Sequence, residues 1–178
     1  VRVISILKRL LSVNIKMHHD EGQVADGEIF LFNHFARFET FIPQYLIYQE
    51  DGSYCRSLAA EEFFDDDDGF SSYLLSVGAV PNKYPRLMPF LAGEILRGRK
   101  VIIFPEGGMV KDRRVHDRKG HYRIYSRTAR ERRKHHTGAA VLSLKVDLLK
   151  QSIRNDFERN DDRSIDNWLN ILELDGRE

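Results

Sequence analysis

The sequence predicts an α/β fold, a mixed, largely parallel sheet flanked by helices. Three observations predict it. Short apolar runs rich in β-branched and aromatic residues alternate with segments of helical period along the 178 residues. The clearest run, Lys100-Val101-Ile102-Ile103-Phe104, carries no polar residue after its first, as a strand covered on both faces should. Hydrophobic residues make up 42% of the chain and charged residues 31%, which suits one buried core and excludes a disordered chain.

The elements follow from periodicity. Residues 3–13 place Ile4, Leu7, Leu10 and Leu11 on one helical face, either the first core-packing helix or a short amphipathic membrane contact. Residues 28–33 are an apolar run read as a buried strand. A helix is expected from about Glu39 to Gln49, with Pro43 near its first turn, where proline is tolerated. Residues 54–59 are a second strand. Phe70–Val77 is helical, and Gly78-Ala79-Val80-Pro81 leaves it as a short strand or turn. Arg86–Leu96 is a helix ended by Gly98. Thr137 and Ser164 are expected N-caps of helices reaching about Lys150 and Leu172. The chain opens on valine, and it reads as an incomplete domain cut from a longer protein.

Net charge is +1, which argues against a uniformly basic nucleic-acid binder. The charge is nevertheless sorted. Lys111–Lys134 holds eleven Lys/Arg against three acids, so a basic patch is expected there. The single cysteine, Cys55, excludes an internal disulfide and is expected to be a buried structural thiol. No apolar run reaches the length of a membrane span. His18-His19 and His135-His136 lack the spaced partners of a zinc site, and Asp65-Asp66-Asp67-Asp68-Gly69 departs from the calcium-loop pattern, so no metal is expected.

Two motifs sit at predicted strand ends. The first is Asn33-His34-Phe35-Ala36-Arg37-Phe38-Glu39. With His34 in the loop and Glu39 in the first turn of the helix, the carboxylate can hold one ring nitrogen and leave the other as a base. Seven histidines and 27 acids produce about one such spacing by chance. The alternative reading is a partly buried histidine at a strand end. The second motif is Phe104-Pro105-Glu106-Gly107-Gly108, a turn whose backbone N–H groups can cradle an anion. Phe-Pro-Glu-Gly arises by chance in about one chain in seven hundred of this size. An ordinary strand-ending turn explains its proline and glycine but not the acid between them.

The order and separation of the two motifs resemble the phospholipid/glycerol acyltransferase family, the lysophosphatidate and glycerol-3-phosphate acyltransferases. His34 and Phe104 are 70 positions apart, close to the family's spacing. Gly78-Ala79-Val80-Pro81-Asn82-Lys83 and Thr137-Gly138-Ala139-Ala140 resemble two lesser blocks of that family. Glu39 stands where the family has aspartate, Gly108 where it has Thr or Ser, and Lys83 or Arg86 where it has arginine. No hydrophobic-proline strand follows Ala140.

The resemblance implies a glycerolphosphate acyltransferase-like domain over 1–150, with 151–178 an acidic helical extension or the start of an insertion. It implies an O-acyltransferase, with acyl-CoA or acyl-carrier protein as co-substrate and no further cofactor. His34 would be the general base and Glu39 its orienting acid. Asn33, Arg37, Lys83, Glu106, Gly107 and Gly108 would hold a glycerol-phosphate or lysophospholipid acceptor. The protein would lie peripherally on the cytoplasmic face of an anionic membrane. A transacylase that moves chains between phospholipids is a variant of the same chemistry. The alternative from another class is a catalytically degenerate module that holds anionic lipid or RNA through 111–134.

Overall fold

A computed structural model of the chain describes residues 5–6, 9–10, 12, 18, 23–34, 41–65, 69–107, 119, 124–125, 132–133 and 136–172. Four short parallel strands form its centre: β1 (Ile29–Leu31), β2 (Cys55–Ala59), β3 (Ala79–Pro81) and β4 (Lys100–Ile103), in the spatial order β1-β4-β2-β3. The protein is therefore of the α/β class. Among the described residues this sheet is wholly parallel, where a mixed one was expected. A separate antiparallel pair, β5 (Ile124–Tyr125) and β6 (Arg132–Arg133), stands apart from it.

Strand β4 shows why the sheet is covered on both faces. All four of its residues are buried, and successive side chains point to opposite sides. Val101 and Ile103 pack with Leu91, Ala92 and Ile95 of α4 (Leu87–Leu96) and with Ala139, Leu142 and Val146 of α5 (Gly138–Glu158). Ile102 turns the other way, onto Ile47 of α2 (Ile42–Asp51), Cys55, and Val24 of the short helix α1 (Gln23–Asp26). Helix α3 (Gly69–Ser76) lies beside α2, with the Phe41 and Tyr73 rings 6.1 Å apart. Burying a side chain such as Leu142, which is 0% exposed, contributes about 1.5–3 kcal/mol.

The edge where the strands begin is closed by a buried cation. Lys100 Nζ donates to the carbonyls of Val24, Ala25 and Gly27 at 2.7–2.8 Å and pairs with Asp51 Oδ2 at 2.9 Å. Burial alone would push the Asp51 carboxyl up; the hydrogen bonds from Lys100 and Ser53 outweigh it and hold it below its ordinary value. Burial pushes the Cys55 thiol up to about 12, so this cysteine is a structural side chain.

Several boundaries differ from expectation. Helix α2, expected from about Glu39, is described from Ile42, residues 39 and 40 lying outside the described residues, and it ends on Gly52 at φ 75°. Proline fits only the first turn of a helix, and Pro43 occupies it. Helix α5 runs to Glu158, past its expected end near Lys150. Thr137 stands at its N-cap, but its side chain makes no cap hydrogen bond. The last helix, α6 (Asp162–Leu172), is capped by Asp161 instead of Ser164. The Asp161 carboxylate accepts from the Ser164 N–H at 3.2 Å and from its hydroxyl at 2.8 Å. Helix α6 docks on α5 through buried Ile165 and a Trp168 Nε1 bond to Asp156. Residues 5–6 and 9–10 are helical, as read, and Ile6 and Leu10 are exposed.

Candidate active site

The pairing of β1 with β4 determines what meets at the far edge. Ile29 lies opposite Val101 and Leu31 opposite Ile103, an offset of 72 residues. The bond from the Phe32 N–H to the Ile103 carbonyl, 3.1 Å, continues the ladder past the strands. The same offset carries His34 to Glu106. The His34 backbone N–H donates to Glu106 Oε2 at 2.5 Å. The two sequence motifs, 70 positions apart in the chain, are thus neighbours on one edge.

Glu106 is 8% exposed, and its carboxylate ties the two strand ends together. A hydrogen bond to a charged group is worth about 1.5–3 kcal/mol, and losing it leaves the half-buried N–H without that acceptor. Glu106 holds the His34 backbone rather than its ring. The ring instead stands against Phe104, centroid to centroid 5.0 Å, tilted by 47°. Phe104 in turn packs 6.3 Å from Phe32. The imidazole therefore rests on an aromatic shelf at the end of the core that contains Ile47 and Ile102. Asn33, beside it, is exposed.

A second histidine completes this corner. The His136 N–H donates to the Pro105 carbonyl at 2.9 Å. That bond sets the start of α5 on the glycine turn. Gly107 has φ +65°, and a Cβ there would lie 2.5 Å from His136 Nε2. Only glycine fits both the backbone angle and the ring above it. The first turn of α5 carries no acidic residue and no side-chain cap, and the His136 bond to Pro105 places the start of this 21-residue helix beside the turn.

The other expected site residues divide. Lys83 follows β3 and so lies on the same edge, but β3 is two strands from β4, about 10 Å away. Its side chain is 75% exposed and pairs with Glu61 Oε2 at 2.5 Å; that hydrogen bond raises the ammonium above its ordinary value. Glu39, Arg37 and Gly108 lie outside the described residues. So does almost all of the basic segment 111–134, of which residues 119, 124–125 and 132–133 are described. Among the described residues, no group of three or more His, Cys, Asp or Glu converges as metal ligands would.

Sequence reasoning placed Glu106 in the acceptor site and did not foresee its bond to the His34 backbone. The signal present was the acid inside a turn that needs only Pro and Gly. In the sequence His136 stands out only as half of a His-His pair without the spaced partners of a zinc site. Its position two residues before a helix-starting glycine was the available clue.

Comparison with known proteins gives no match: no family model, no curated protein and no solved structure.

Proposed function

We propose that the chain is an O-acyltransferase domain of the phospholipid/glycerol acyltransferase type. The observation that carries this reading is the register that sets His34 level with Glu106 on adjacent parallel strands. In open α/β sheets, ligands bind outside the carboxyl ends of the strands, and the imidazole and the glycine turn both lie there.

The His34 ring takes the proton of an acceptor hydroxyl, and the oxygen attacks the carbonyl carbon of an acyl thioester. The C–O bond forms, the C–S bond breaks, and the thiolate leaves with the proton that the imidazolium returns. Such a base contributes about 10²–10⁴-fold. Glu39 is the acid assigned to orient the ring. Glu106 holds the strand ends so that the ring and the turn keep their spacing. The acceptor's phosphate binds at Gly107 and the first turn of α5, where N–H groups and the helix dipole favour an anion. Lys83, on the same edge two strands away, is held by Glu61 and would have to leave that partner to reach the phosphate.

Support for a peripheral membrane position comes from α5. Its buried side holds Ala139, Leu142 and Val146, yet Val141, Leu144 and Leu148 form a second apolar stripe on another side, Leu144 being 67% exposed. The stripe starts beside the site and suits contact with lipid at the mouth where a lysophospholipid enters. No helix among the described residues is long and apolar enough to cross a membrane.

The test is direct. Wild-type protein is incubated with radiolabelled acyl-CoA, or with acyl-carrier protein, and with lysophosphatidate or glycerol 3-phosphate. A labelled diacyl or monoacyl product is expected from at least one pair, and Glu106→Gln should lower its rate while leaving the fold intact. Absence of product from every pair, with RNA or anionic vesicles bound instead, would replace the enzyme reading with the degenerate binding module.

A further inference from the structure

The opposite edge of the sheet carries a second constellation. Glu94, at the end of α4, is a buried carboxylate whose side chain is 2% exposed. Three guanidiniums converge on it. Arg56 and Arg99 both bond Oε2, and Arg97 bonds Oε1 at 3.1 Å. Arg56 and Arg99, which share Oε2, carry together one positive charge more than the carboxylate they bond. Burial alone would raise the Glu94 carboxyl; the guanidinium bonds, Arg56 first, overcome it and hold the group ionised below its ordinary value. Glu94 thus orients Arg56 and Arg99 while balancing only one of their two charges.

Two of the three, Arg56 and Arg99, line a cleft of about 770 Å³ between α2, α3 and the strand starts. This lies within the range of about 300–1,000 Å³ usual for small-molecule sites. Tyr45, Tyr48, Tyr54 and Tyr73 line its walls. Tyr48 and Tyr54 stand 5.4 Å apart at 53°. Gln44, Ser53 and Ser76 add polar edges, and Val77 is the one aliphatic side chain among the described lining residues. An alkyl chain would want leucine, isoleucine or methionine around it. Flat aromatic faces, tyrosine hydroxyls and arginine forks suit a planar group that carries both polar edges and an anion.

We infer that this cleft binds a nucleotide-type ligand, with its base against the tyrosines and its phosphate on Arg56 and Arg99. The guanidinium geometry favours phosphate because its oxygens can accept paired N–H bonds. Glu94 keeps Arg56 and Arg99 in place and leaves one net positive charge on the pair. The site lies across the sheet from His34, so it stands whether or not the acyltransferase reading does. Two sources carry the same chemistry, a free nucleotide and the nucleotide end of coenzyme A.

Isothermal titration of the full chain with AMP, with coenzyme A and with inorganic phosphate tests the inference. Arg99 is 41% exposed and Tyr54 68% exposed, so Arg99→Ala and Tyr54→Ala should keep the fold, which circular dichroism checks. AMP should bind, inorganic phosphate should bind at least about tenfold more weakly, and each variant should lose about tenfold or more in AMP affinity. His34→Ala should leave binding unchanged. Coenzyme A binding about tenfold tighter than AMP assigns the site to the cofactor's nucleotide end; equal affinities assign it to a free nucleotide. No binding of AMP or coenzyme A at millimolar concentration overturns the inference. So does phosphate binding as well as AMP, unaltered affinity in both variants, or loss of binding in His34→Ala.

Discussion

Replacing Gly107 with alanine probes the corner where the two strand ends and α5 meet. The new methyl group faces two separate obstacles. The backbone angle, φ +65°, costs an L-residue about 1–2 kcal/mol. The methyl would also stand 2.5 Å from His136 Nε2 and 2.7 Å from its Cδ2, so the ring must move. His136 is exposed and its side chain can swing outward, so this second cost is the smaller. Together the two costs come to about 1.5–3 kcal/mol, which lowers the melting temperature of a chain of this size by about 3–12 °C. A thermodynamic cycle separates the terms. With His136→Ala in place the ring is gone, and Gly107→Ala should then cost only the backbone term. Coupling between the two sites should be about 0.5–1 kcal/mol, measured by urea unfolding of the four proteins. Gly107→Ala without any cost, or the same cost in both backgrounds, would refute the reasoning: the first would remove the positive angle, the second the ring contact.

Gly78→Ala should be more damaging, because its Cβ would stand 2.4 Å from the Cys55 carbonyl oxygen at φ +89°, and backbone cannot swing aside; about 2–5 kcal/mol is expected in urea unfolding. Lys100→Met leaves buried Asp51 and three carbonyls without their shared donor and should cost about 3–5 kcal/mol, read as a fall in the urea midpoint. The guanidinium bonds hold the Glu94 carboxyl below its ordinary value, so the stability it contributes is complete above the ordinary glutamate range and is lost as pH falls through the lower folded value. Glu94→Gln should accordingly be clearly less stable than wild type at neutral pH, and the gap should narrow in acid; a gap that widens in acid would contradict the assignment.

The sequence made the strands and helices legible where burial is two-sided or periodic. Strand β4 was readable because Val101, Ile102 and Ile103 must each be apolar when both faces are covered. Helix α4 was readable despite Pro89 and Gly93 because Leu91, Ala92 and Ile95 keep one face on the sheet. The order β1-β4-β2-β3 was not readable, since parallel strands pair at long range and no turn records their neighbours. The spacing of the two motifs carried part of it: a separation near 70 matches strands paired at an offset of 72. The bond between Glu106 and the His34 N–H was hidden because backbone donors leave no trace in residue identity. The cluster around Glu94 was hidden for another reason. A single acid in the apolar helix 87–96 gains its meaning only when Arg56, far away in sequence, folds beside Arg97 and Arg99. The cap of α6 was misassigned by three residues, since Asp161 and Ser164 both suit an N-cap and only geometry shows which side chain accepts.

One rate comparison addresses the central claim, that the imidazole on the Phe104 shelf deprotonates the acceptor. Acyl transfer by His34→Ala is measured against wild type at saturating thioester, with both proteins matched in circular dichroism and melting temperature. A fall of about 10²–10⁴-fold is the predicted result. Equal turnover by the two proteins would contradict it.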